Sequence, residues 1–402
     1  MPEALFKPRL SGSIIRSFAV SSGAVSKNKK KGAVKRSRGK NLPKIVAADL
    51  FCGVGGLTSG LAKAGIEVRI GIDIDPACEY PYTANNDSEF LLKSVVKLSA
   101  EDFDLGDENN LKLLAGCAPC QPFSSYHQKA TKADRRWNLL SHFGRLAEEI
   151  QPDLITMENV PNLAKQKVFR AFVSRLEKQG FNVSHEVIDC SEFGVPQTRR
   201  RLVLLASKLG PISLMRKQKP KTITVKQAIS KLPRLKAGQI CKRDPLHQAS
   251  ELSSLNLQRI RASTPGGTWR DWDEELVAPC HKRESGKTYP GVYGRMTWSE
   301  PAPTITTQYF GFGNGRFGHP SQDRAISIRE GAILQSFPKT YRFVESEKPI
   351  YLKTLGRLIG NAVPVKLGEA IGNTLIAHAE EYARNKSKKN SKLVKTRDGP
   401  KK

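Results

Sequence analysis

The stretch Ile45-Val46-Ala47-Ala48-Asp49-Leu50-Phe51-Cys52-Gly53-Val54-Gly55-Gly56 decides the fold. Its first half, through Phe51, is apolar apart from Asp49 and predicts a buried strand, and its glycines predict a tight turn. A helix from Leu57 to Ala64 and a second strand from Glu67 to Ile72 are predicted next. Strand, glycine turn, helix and strand in this order form a β-α-β unit of the kind that cradles nucleotides.

The glycine turn suits a ligand because residues without side chains let backbone amides approach it, and the helix start offers partial positive charge. Asp73 follows the second strand, in a position to accept hydrogen bonds from ribose hydroxyls. The unit by itself fits NAD as well as S-adenosylmethionine. A turn that needs glycine only for its geometry is the structural alternative.

Further apolar runs predict the rest of the sheet. They lie at Leu111–Cys117, Asp153–Met157 and Leu202–Ala206, and a helix is predicted at Arg170–Gln179. Strands that alternate with helices favour a mainly parallel sheet with helices on both faces. The pattern breaks from Ser207 to about Gly294, where the chain is basic and punctuated by Pro and Gly, so we expect a separate, smaller lobe there.

Charge is distributed unevenly along the chain. The 402 residues carry 66 Lys and Arg against 38 Asp and Glu, a net charge of +28 that favours a polyanionic partner. Residues 1–44 carry +11 and residues 384–402 carry +8. We predict that both ends are disordered basic tails that attract phosphate nonspecifically, with solvated ends that only aid solubility as the alternative.

Membrane and compartment signals are weak. No stretch approaches the roughly 20 apolar residues of a membrane span. Seven cysteines, an odd number without a secretory signal, point to a reducing compartment. We therefore expect a soluble, cytoplasmic protein with no membrane partner, and an organelle transit peptide at the Ser- and Arg-containing start is the weaker alternative.

Two motifs with chemically active side chains follow predicted strands. Pro119-Cys120-Gln121 follows the run that ends at Cys117, and Glu158-Asn159-Val160 follows the next apolar run. The carboxyl ends of parallel strands meet at one edge of a sheet, so a thiolate nucleophile and a proton donor are expected side by side. A buried cysteine that packs as a small hydrophobic residue is the alternative for Cys120.

Cys117 and Cys120 also form a C-x-x-C pair, which raises redox and zinc chemistry. A thioredoxin-like context is missing, and Cys241 and Cys280 lie 39 residues apart, too far to supply a second zinc pair. We predict no metal site.

A basic motif, Gln197-Thr198-Arg199-Arg200-Arg201, precedes another predicted strand. Strand alternation puts Arg199 and Arg201 on one face and Arg200 on the other. A solvated basic face is the structural alternative.

Taken together, these motifs resemble those of the carbon-5 cytosine DNA methyltransferases. Six segments occur in that family's order: Asp49–Gly56, Pro119–Gln121, Glu158–Val160, Gln197–Arg201, Arg295 with Pro301–Thr306, and Gly360–Val363. The resemblance implies an α/β fold with a Rossmann-like, S-adenosylmethionine-dependent methyltransferase sheet and a smaller target recognition lobe. It also implies methylation of cytosine in a specific sequence of double-stranded DNA.

The resemblance assigns catalytic roles to five residues. Cys120 would attack carbon 6 of cytosine while Glu158 supports a proton at ring nitrogen 3, so that carbon 5 can take the methyl group. Arg201 would hold the base carbonyl oxygen, and Arg199 a nearby phosphate or the catalytic loop. Asn159 would orient the site around Glu158.

The resemblance also assigns the wall of an S-adenosylmethionine site. Phe51 would lie near the adenine or the sulfonium, Asp73 would bind the ribose, and Ile74 would pack on adenine. The remaining wall positions are Gly53, Gly55, Gly56, Leu57, Pro119, Leu139, Asn361 and Val363. Where the family often has an acid for the adenine amine, this chain has Ser94, so a hydroxyl or a backbone carbonyl would replace that contact.

DNA contacts are implied for two regions. The basic loop Ser124–Trp137 would close over DNA from which the target cytosine has flipped out, and a lobe after Ser207 would read the sequence.

Helices at Ile328–Gln335 and Val365–Tyr382 would return the chain to the first lobe. We divide the chain into a basic tail (1–44), a catalytic domain (45–206), a target recognition lobe (207–326), a return segment completing the catalytic domain (327–383) and a basic tail (384–402).

The short recognition lobe favours a monomeric bacterial or phage modification enzyme whose functional partner would be a cognate restriction endonuclease. A tRNA cytosine methyltransferase of the same family is one alternative, although the Cys-Phe-Thr motif of that branch is missing. A catalytically silent DNA-binding protein is the other. It would have no reason to keep Cys120, Glu158 and Arg201 together.

Overall fold

The computed structural model describes residues 43–119, 139–216 and 222–397, with side chains as far as residue 388. Its strands are β1 (Lys44–Leu50), β2 (Glu67–Asp73), β3 (Glu89–Leu92), β4 (Asn110–Gly116), β5 (Leu154–Asn159), β6 (Asn182–Asp189), β7 (Arg200–Ser207), β8 (Ile240–Cys241) and β9 (Asp244–Gln248). Its α-helices are α1 (Gly56–Ala64), α2 (Glu79–Thr83), α3 (Leu139–Ile150), α4 (Lys167–Lys178), α5 (Val225–Ile229), α6 (Ser254–Ala262), α7 (Glu284–Lys287), α8 (Ile328–Leu334), α9 (Leu352–Asn361) and α10 (Val365–Arg397). Cys120, the loop Ser124–Trp137 and the basic start of the chain lie outside the described residues.

The first seven strands form one sheet in the order β3-β2-β1-β4-β5-β7-β6. Neighbours from β3 to β5 are parallel, whereas β7 runs antiparallel to both β5 and β6. The predicted mainly parallel α/β sheet is confirmed. β1 ends one residue before the predicted end because Phe51 has a φ of 58°, in the left-handed region that breaks a strand.

Both faces of the sheet are covered, as expected when a parallel sheet is built from continuous apolar runs. Val46, Ala48 and Leu50 of β1 face a core beneath α3 and α4. Ile45 and Ala47, at the intervening positions, face a second core beneath α1 and α10. The alternating side chains of one strand therefore join helices on opposite faces, which confirms that prediction.

Helices α1 and α10 approach each other closely because both present glycine at the contact. A Cβ added to Gly60 would lie 2.5 Å from the carbonyl oxygen of Val365 and 2.6 Å from the backbone carbon of Gly368. This contact returns the end of the chain to the glycine turn, since α1 begins there. The predicted packing of this helix on the first lobe is confirmed.

The predicted disorder of the basic C-terminal tail from residue 384 is wrong for residues 384–397, which continue α10. Extending an existing helix costs little compared with starting one. Residues 384–397 contain neither Gly nor Pro, and helix breakers first appear at Gly399 and Pro400. The high charge of this segment is compatible with a helix because Lys and Arg are good helix formers.

Residues 222–365 build a third core, which contains Val225, Met296 and Ile305 together with Ile328 and Phe337. This core runs across the predicted boundary between residues 326 and 327, and the division into domains stays a prediction. In the ranges described, no helix is both long and apolar enough to cross a membrane.

Candidate active site

The glycine turn between β1 and α1 lies at the carboxyl edge of the sheet. Phe51, Gly53 and Gly55 have φ angles of 58°, 54° and 82°, all in the left-handed region. The amide of Gly55 donates to the carbonyl of Cys52 (2.9 Å), which closes the turn directly before α1. The turn thus places the N-terminus of α1 at this edge, a position that favours anionic or polar ligand groups.

The three glycines of the turn meet different surroundings. A Cβ added to Gly53 would have no atom of the described residues within 4 Å, whereas one at Gly55 would overlap Asn86 Nδ2 and one at Gly56 would overlap the carbonyl oxygen of Val363. Among the described residues, therefore, nothing prevents a ligand from approaching the backbone at Gly53. Gly55 and Gly56 are required by protein packing.

Asp73 is held against this turn. Its Oδ2 accepts a hydrogen bond from the Gly53 amide (2.9 Å) and its Oδ1 accepts one from the Asp75 amide (3.0 Å). Burial raises the pKa of the Asp73 carboxyl above its usual value, and these amides act in the opposite direction. Because each carboxylate oxygen has a second lone pair, Asp73 can still accept hydrogen bonds from a ligand.

The other predicted wall positions differ in exposure. Ile74 is 70% exposed, an unusual state for an apolar side chain beside a buried strand, and it is available to cover a flat ring. Leu57 is only 2% exposed and packs into the core beneath α1 and α10, so only its backbone faces the turn. Phe51 and Leu139 are half-buried against the opposite core, Pro119 and Asn361 are exposed, and Val363 is buried.

A buried polar network beneath the turn was missed by the sequence reasoning. Asp49 is 1% exposed, and its Oδ2 accepts a hydrogen bond from Thr58 Oγ1 (2.7 Å), while Oδ1 has no partner among the described residues. The Tyr82 hydroxyl lies 3.2 Å from Thr58 Oγ1 and 2.8 Å from Ser88 Oγ. The available signal was one acid inside an apolar strand.

Burial raises the pKa of Asp49 to about 7, and we predict that this makes the stability of the protein depend on pH. Because its pKa is raised, Asp49 binds its proton more tightly in the folded state than in the unfolded state. The free energy of unfolding that this proton contributes is complete below about pH 4 and is lost as the pH rises to about 7. The free energy of unfolding of Asp49→Asn, compared with that of wild type at the same pH, should therefore rise from pH 4 to pH 7, by up to a few kcal/mol. Denaturant titrations across this range would measure it.

The matched control is Asp104→Asn, because the Asp104 side chain is 86% exposed and pairs with Arg69 at the surface. Its stability should follow that of wild type at every pH. Parallel curves for Asp49→Asn and wild type would contradict the predicted titration of Asp49.

Strand register brings a carboxylate, a guanidinium and a thiol together at the carboxyl edge of the sheet, which is called the catalytic edge below. Glu158 of β5 is 3% exposed, and its Oε1 lies 2.8 Å from Nε of Arg201 on β7. Its Oε2 accepts a hydrogen bond from Sγ of Cys117 (2.9 Å), which directly follows β4. Glu158 and Arg201, two of the predicted catalytic residues, thus lie together, although their direct contact was not predicted and the part played by Cys117 was missed.

Asn159 connects the same edge to the chain that leads into Cys120. Its Nδ2 donates to the carbonyl of Ala118 (2.8 Å), and its Oδ1 accepts from the Val160 amide (2.9 Å). Asn159 is 2% exposed, so both bonds are shielded from water. The side chain thus fixes the backbone two residues before Cys120.

Arg199 directly precedes β7, two residues before Arg201, and is buried, with 2% exposure. The resemblance implies a phosphate or the catalytic loop as its partner, and that loop lies outside the described residues. Within the described ranges, Arg199 donates to the carbonyl oxygens of Ile305 (3.0 Å) and Gly360 (3.1 Å). Burial lowers the pKa of this guanidinium to about 10, a value that still leaves it charged at neutral pH.

Gln197 joins its own motif to the motif Pro301–Thr306 and to the end of α8. Its Nε2 donates to Leu334 O (2.8 Å) and Gln335 Oε1 (2.7 Å), and its Oε1 accepts from the Ile305 amide (3.0 Å). Gln335 in turn donates to Ile359 O (2.8 Å) in α9. Motifs more than 100 residues apart in sequence therefore form one buried polar network behind the catalytic edge.

Comparison with known proteins places this arrangement in a family. The family model described as C-5 cytosine-specific DNA methylase matches residues 45–377. The chain belongs to the C-5 cytosine-specific DNA methylase family. The matched range of this methylase includes every predicted site residue, from Phe51 to Val363.

Relatives of the methylase are similar over most of their length. The Type II methylase M.HgiDII of Herpetosiphon aurantiacus is 50% identical over 337 residues, which cover 81% of this chain and 94% of the relative. The Type II methyltransferase M1.BsuMI of Bacillus subtilis is 31% identical over 346 residues, covering 80% and 78%.

Solved structures agree on the fold. A candidate DNA modification methyltransferase encoded within an E. coli prophage superposes on the methylase with a TM-score of 0.65 at 22% identity, covering 84% of this chain and 100% of that one. The Entamoeba histolytica methyltransferase EhMeth gives 0.56 at 16% identity, covering 85% and 98%. The expected methyltransferase sheet is confirmed.

Proposed function

We propose that this methylase transfers the methyl group of S-adenosylmethionine to carbon 5 of cytosine in a specific sequence of double-stranded DNA, through a covalent bond between Cys120 and carbon 6. The observation that carries the proposal is the buried Glu158 carboxylate, paired with Arg201 at the sheet edge that leads into Cys120. A nucleophile and a proton-transfer group held side by side are the requirement of this chemistry.

Cys120, Glu158 and Arg201 each have a separate role in the proposed reaction. The Cys120 sulfur forms a bond to carbon 6 while Glu158 supports a proton on ring nitrogen 3, which moves the electron pair of the double bond toward carbon 5. When bound, S-adenosylmethionine supplies an electrophilic methyl group. Loss of the proton from carbon 5 and release of the Cys120 sulfur restore the ring double bond. Arg201 has five N–H donors, enough to serve Glu158 and the base carbonyl oxygen together.

Asn159 and Arg199 act as positioning residues in this proposal. Asn159 fixes the Ala118 carbonyl and so the approach of the chain to Cys120. Arg199 ties the segments around Ile305 and Gly360 behind the site, which is a structural use of its charge in place of a phosphate contact.

The glycine turn supports S-adenosylmethionine as the cofactor. Gly53 leaves its backbone open, Asp73 offers free lone pairs to the ribose hydroxyls, and Ile74 exposes an apolar surface suited to adenine. Pro119, Leu139, Asn361 and Val363 are proposed as further wall positions. Ser94 is proposed in place of the acid near the adenine amine, although its hydroxyl also accepts a long hydrogen bond from the Val96 amide (3.4 Å).

Duplex DNA is the proposed substrate. Carbons 5 and 6 of cytosine are hidden in the base stack, so the base must flip out of the helix, at a cost of a few kcal/mol. The net charge of +28 favours the phosphate contacts that offset this cost. Because relatives at 50% and 31% identity carry the name Type II, we propose a monomeric modification enzyme of a bacterial or phage restriction-modification system, acting in the cytoplasm beside a cognate endonuclease.

Asp73→Asn is predicted to weaken S-adenosylmethionine binding by about 10- to 100-fold. One carboxylate oxygen becomes an amide that opposes a backbone N–H, and hydrogen bonds to a charged group contribute about 1.5–3 kcal/mol. Isothermal titration calorimetry would measure the dissociation constant. Asp107→Asn, in an exposed turn, is the control, and equal affinity of the Asp73→Asn variant and wild type would contradict the ribose contact.

The test of the proposed function is methyl transfer from labelled S-adenosylmethionine to unmethylated bacterial genomic DNA and, in parallel, to tRNA. We expect label in 5-methyl-2′-deoxycytidine after digestion of the DNA, and bisulfite sequencing would then give the recognised site. Label in tRNA alone would favour an RNA methyltransferase. No transfer to either, with normal cofactor binding, would favour a DNA-binding protein without catalysis.

A further inference from the structure

We propose that Cys117 is a positioning residue for methyl transfer, whose thiol holds the Glu158 carboxylate in the orientation that serves the cytosine ring. The inference rests on the role proposed above for Glu158. It concerns a second thiol of the C-x-x-C pair, three residues before Cys120. The sequence gives this thiol no function once redox and zinc chemistry are set aside.

The position of Cys117 is fixed by the sheet. Its backbone amide donates to the carbonyl of Leu50 (3.2 Å), which ties residue 117 to β1 directly after β4 ends. Gly116 pairs with Met157 in the parallel register of β4 and β5, so Cys117 and Glu158 are the next neighbours on the two strands. Neighbours at matched positions share a face of a parallel sheet, and the thiol therefore meets the carboxylate without any special loop conformation.

The Glu158 carboxylate is held from two sides. Sγ of Cys117 lies 2.9 Å from Oε2, and Nε of Arg201 lies 2.8 Å from Oε1. The terminal torsion of a glutamate is broad, so an anchor at one oxygen leaves the carboxylate free to rotate. The hydrogen bond from Cys117 to Oε2, added to the ion pair at Oε1, removes that freedom. In this arrangement Arg201 provides the charge and Cys117 provides the orientation.

The chemistry of the thiol suits this role, because it donates to the carboxylate without adding a charge to the site. A thiol is a weak donor, which suits a group that has to hold a carboxylate and still allow it to carry a proton.

The test uses Cys117→Ala and Cys117→Ser, with Cys241→Ala as the control because Cys241 is a half-buried thiol of β8. The single-turnover rate of methyl transfer and the KM for DNA are both measured. We expect Cys117→Ala to lower the rate about tenfold, the size expected for one lost hydrogen bond to a charged group, with little change in KM for DNA. Cys117→Ser should recover most of the rate because its hydroxyl can donate to the same oxygen.

An unchanged rate in Cys117→Ala would overturn the proposal. It would also be overturned if Cys117→Ala and Cys117→Ser lost activity equally and both had a lower Tm, because that result marks a packing role alone.

A spectroscopic measurement separates this proposal from the proposed function. The infrared S–H band lost in Cys117→Ala should shift in Glu158→Gln, since the thiol then faces a neutral amide. This shift is expected even if no cytosine methylation is found, in which case only the proposed function fails. A band that does not respond to Glu158→Gln would overturn the hydrogen bond, whatever the activity.

Discussion

Glu158→Gln is expected to lower the single-turnover rate of methyl transfer by about 10²- to 10⁴-fold, the usual contribution of a general acid or base. The amide keeps the shape of the side chain but can no longer carry a proton to ring nitrogen 3. It also leaves Arg201 without its anion, since Oε1 of Glu158 lies 2.8 Å from Nε. The affinity for S-adenosylmethionine should remain unchanged because none of the proposed cofactor contacts involves Glu158.

The control for this prediction is Glu186→Gln on the edge strand β6, where the carboxylate pairs with Arg216 at the surface. It makes the same chemical change away from the catalytic edge and should leave the rate unaltered. Quenched-flow transfer of labelled methyl to DNA would measure both variants. A Glu158→Gln enzyme that transfers methyl groups at the wild-type rate would show that the proton is carried by another group.

Arg324→Met is expected to destabilise the fold by about 3–5 kcal/mol, the typical cost of leaving one partner of a buried ion pair alone. Arg324 and Glu330 are 0% and 1% exposed and meet through two hydrogen bonds, Nη1 to Oε2 (2.7 Å) and Nη2 to Oε1 (2.8 Å). Burial alone would raise the pKa of Glu330, but the hydrogen bonds and charge of Arg324 outweigh it and lower this pKa to about 2. Glu330 is therefore ionised inside the protein.

Two comparisons make this prediction specific. Arg261→Met removes a 62% exposed guanidinium that pairs with Asp323, and should cost less than about 1 kcal/mol. The double variant Arg324→Met with Glu330→Leu removes both charges and should recover part of the loss, although the N-terminal cap that Glu330 supplies to α8 is then missing. Urea denaturation would measure all three. Equal stability of Arg324→Met and Arg261→Met would contradict the buried pair.

The parts of the fold that the sequence predicts are those with strong local patterns. β1, β2, β4 and β7 each contain a predominantly apolar run, and their limits agree with the structure to within a few residues. β6 (Asn182–Asp189) was not predicted because it is an edge strand whose residues are mostly half-buried or exposed, so it shows no apolar run. β3, with four residues, is too short for a pattern.

The candidate site divides in the same way. Asp73 and Glu158 follow from motif position because strand ends converge on one edge, whereas the place of Arg201 in the site is implied by the family resemblance. The roles of Cys117, Gln197 and Asp49 depend on contacts that no local pattern reports. The cysteine meets Glu158 through strand register, and Gln197 meets Gln335 across 138 positions of sequence. Even the burial of Arg199 could not be inferred, because a run of three arginines ordinarily indicates a solvated surface.

Covalent trapping tests the central claim most directly. The protein is mixed with S-adenosylmethionine and duplex DNA in which cytosine carries fluorine at carbon 5, with Cys120→Ser as the control. Fluorine cannot leave carbon 5 as a proton does, so the elimination that frees the Cys120 sulfur is blocked. The account predicts a denaturation-resistant protein–DNA complex with wild type and none with Cys120→Ser. A complex that persists in the Cys120→Ser variant, or no complex on DNA that the wild-type protein methylates, would contradict Cys120 as the nucleophile.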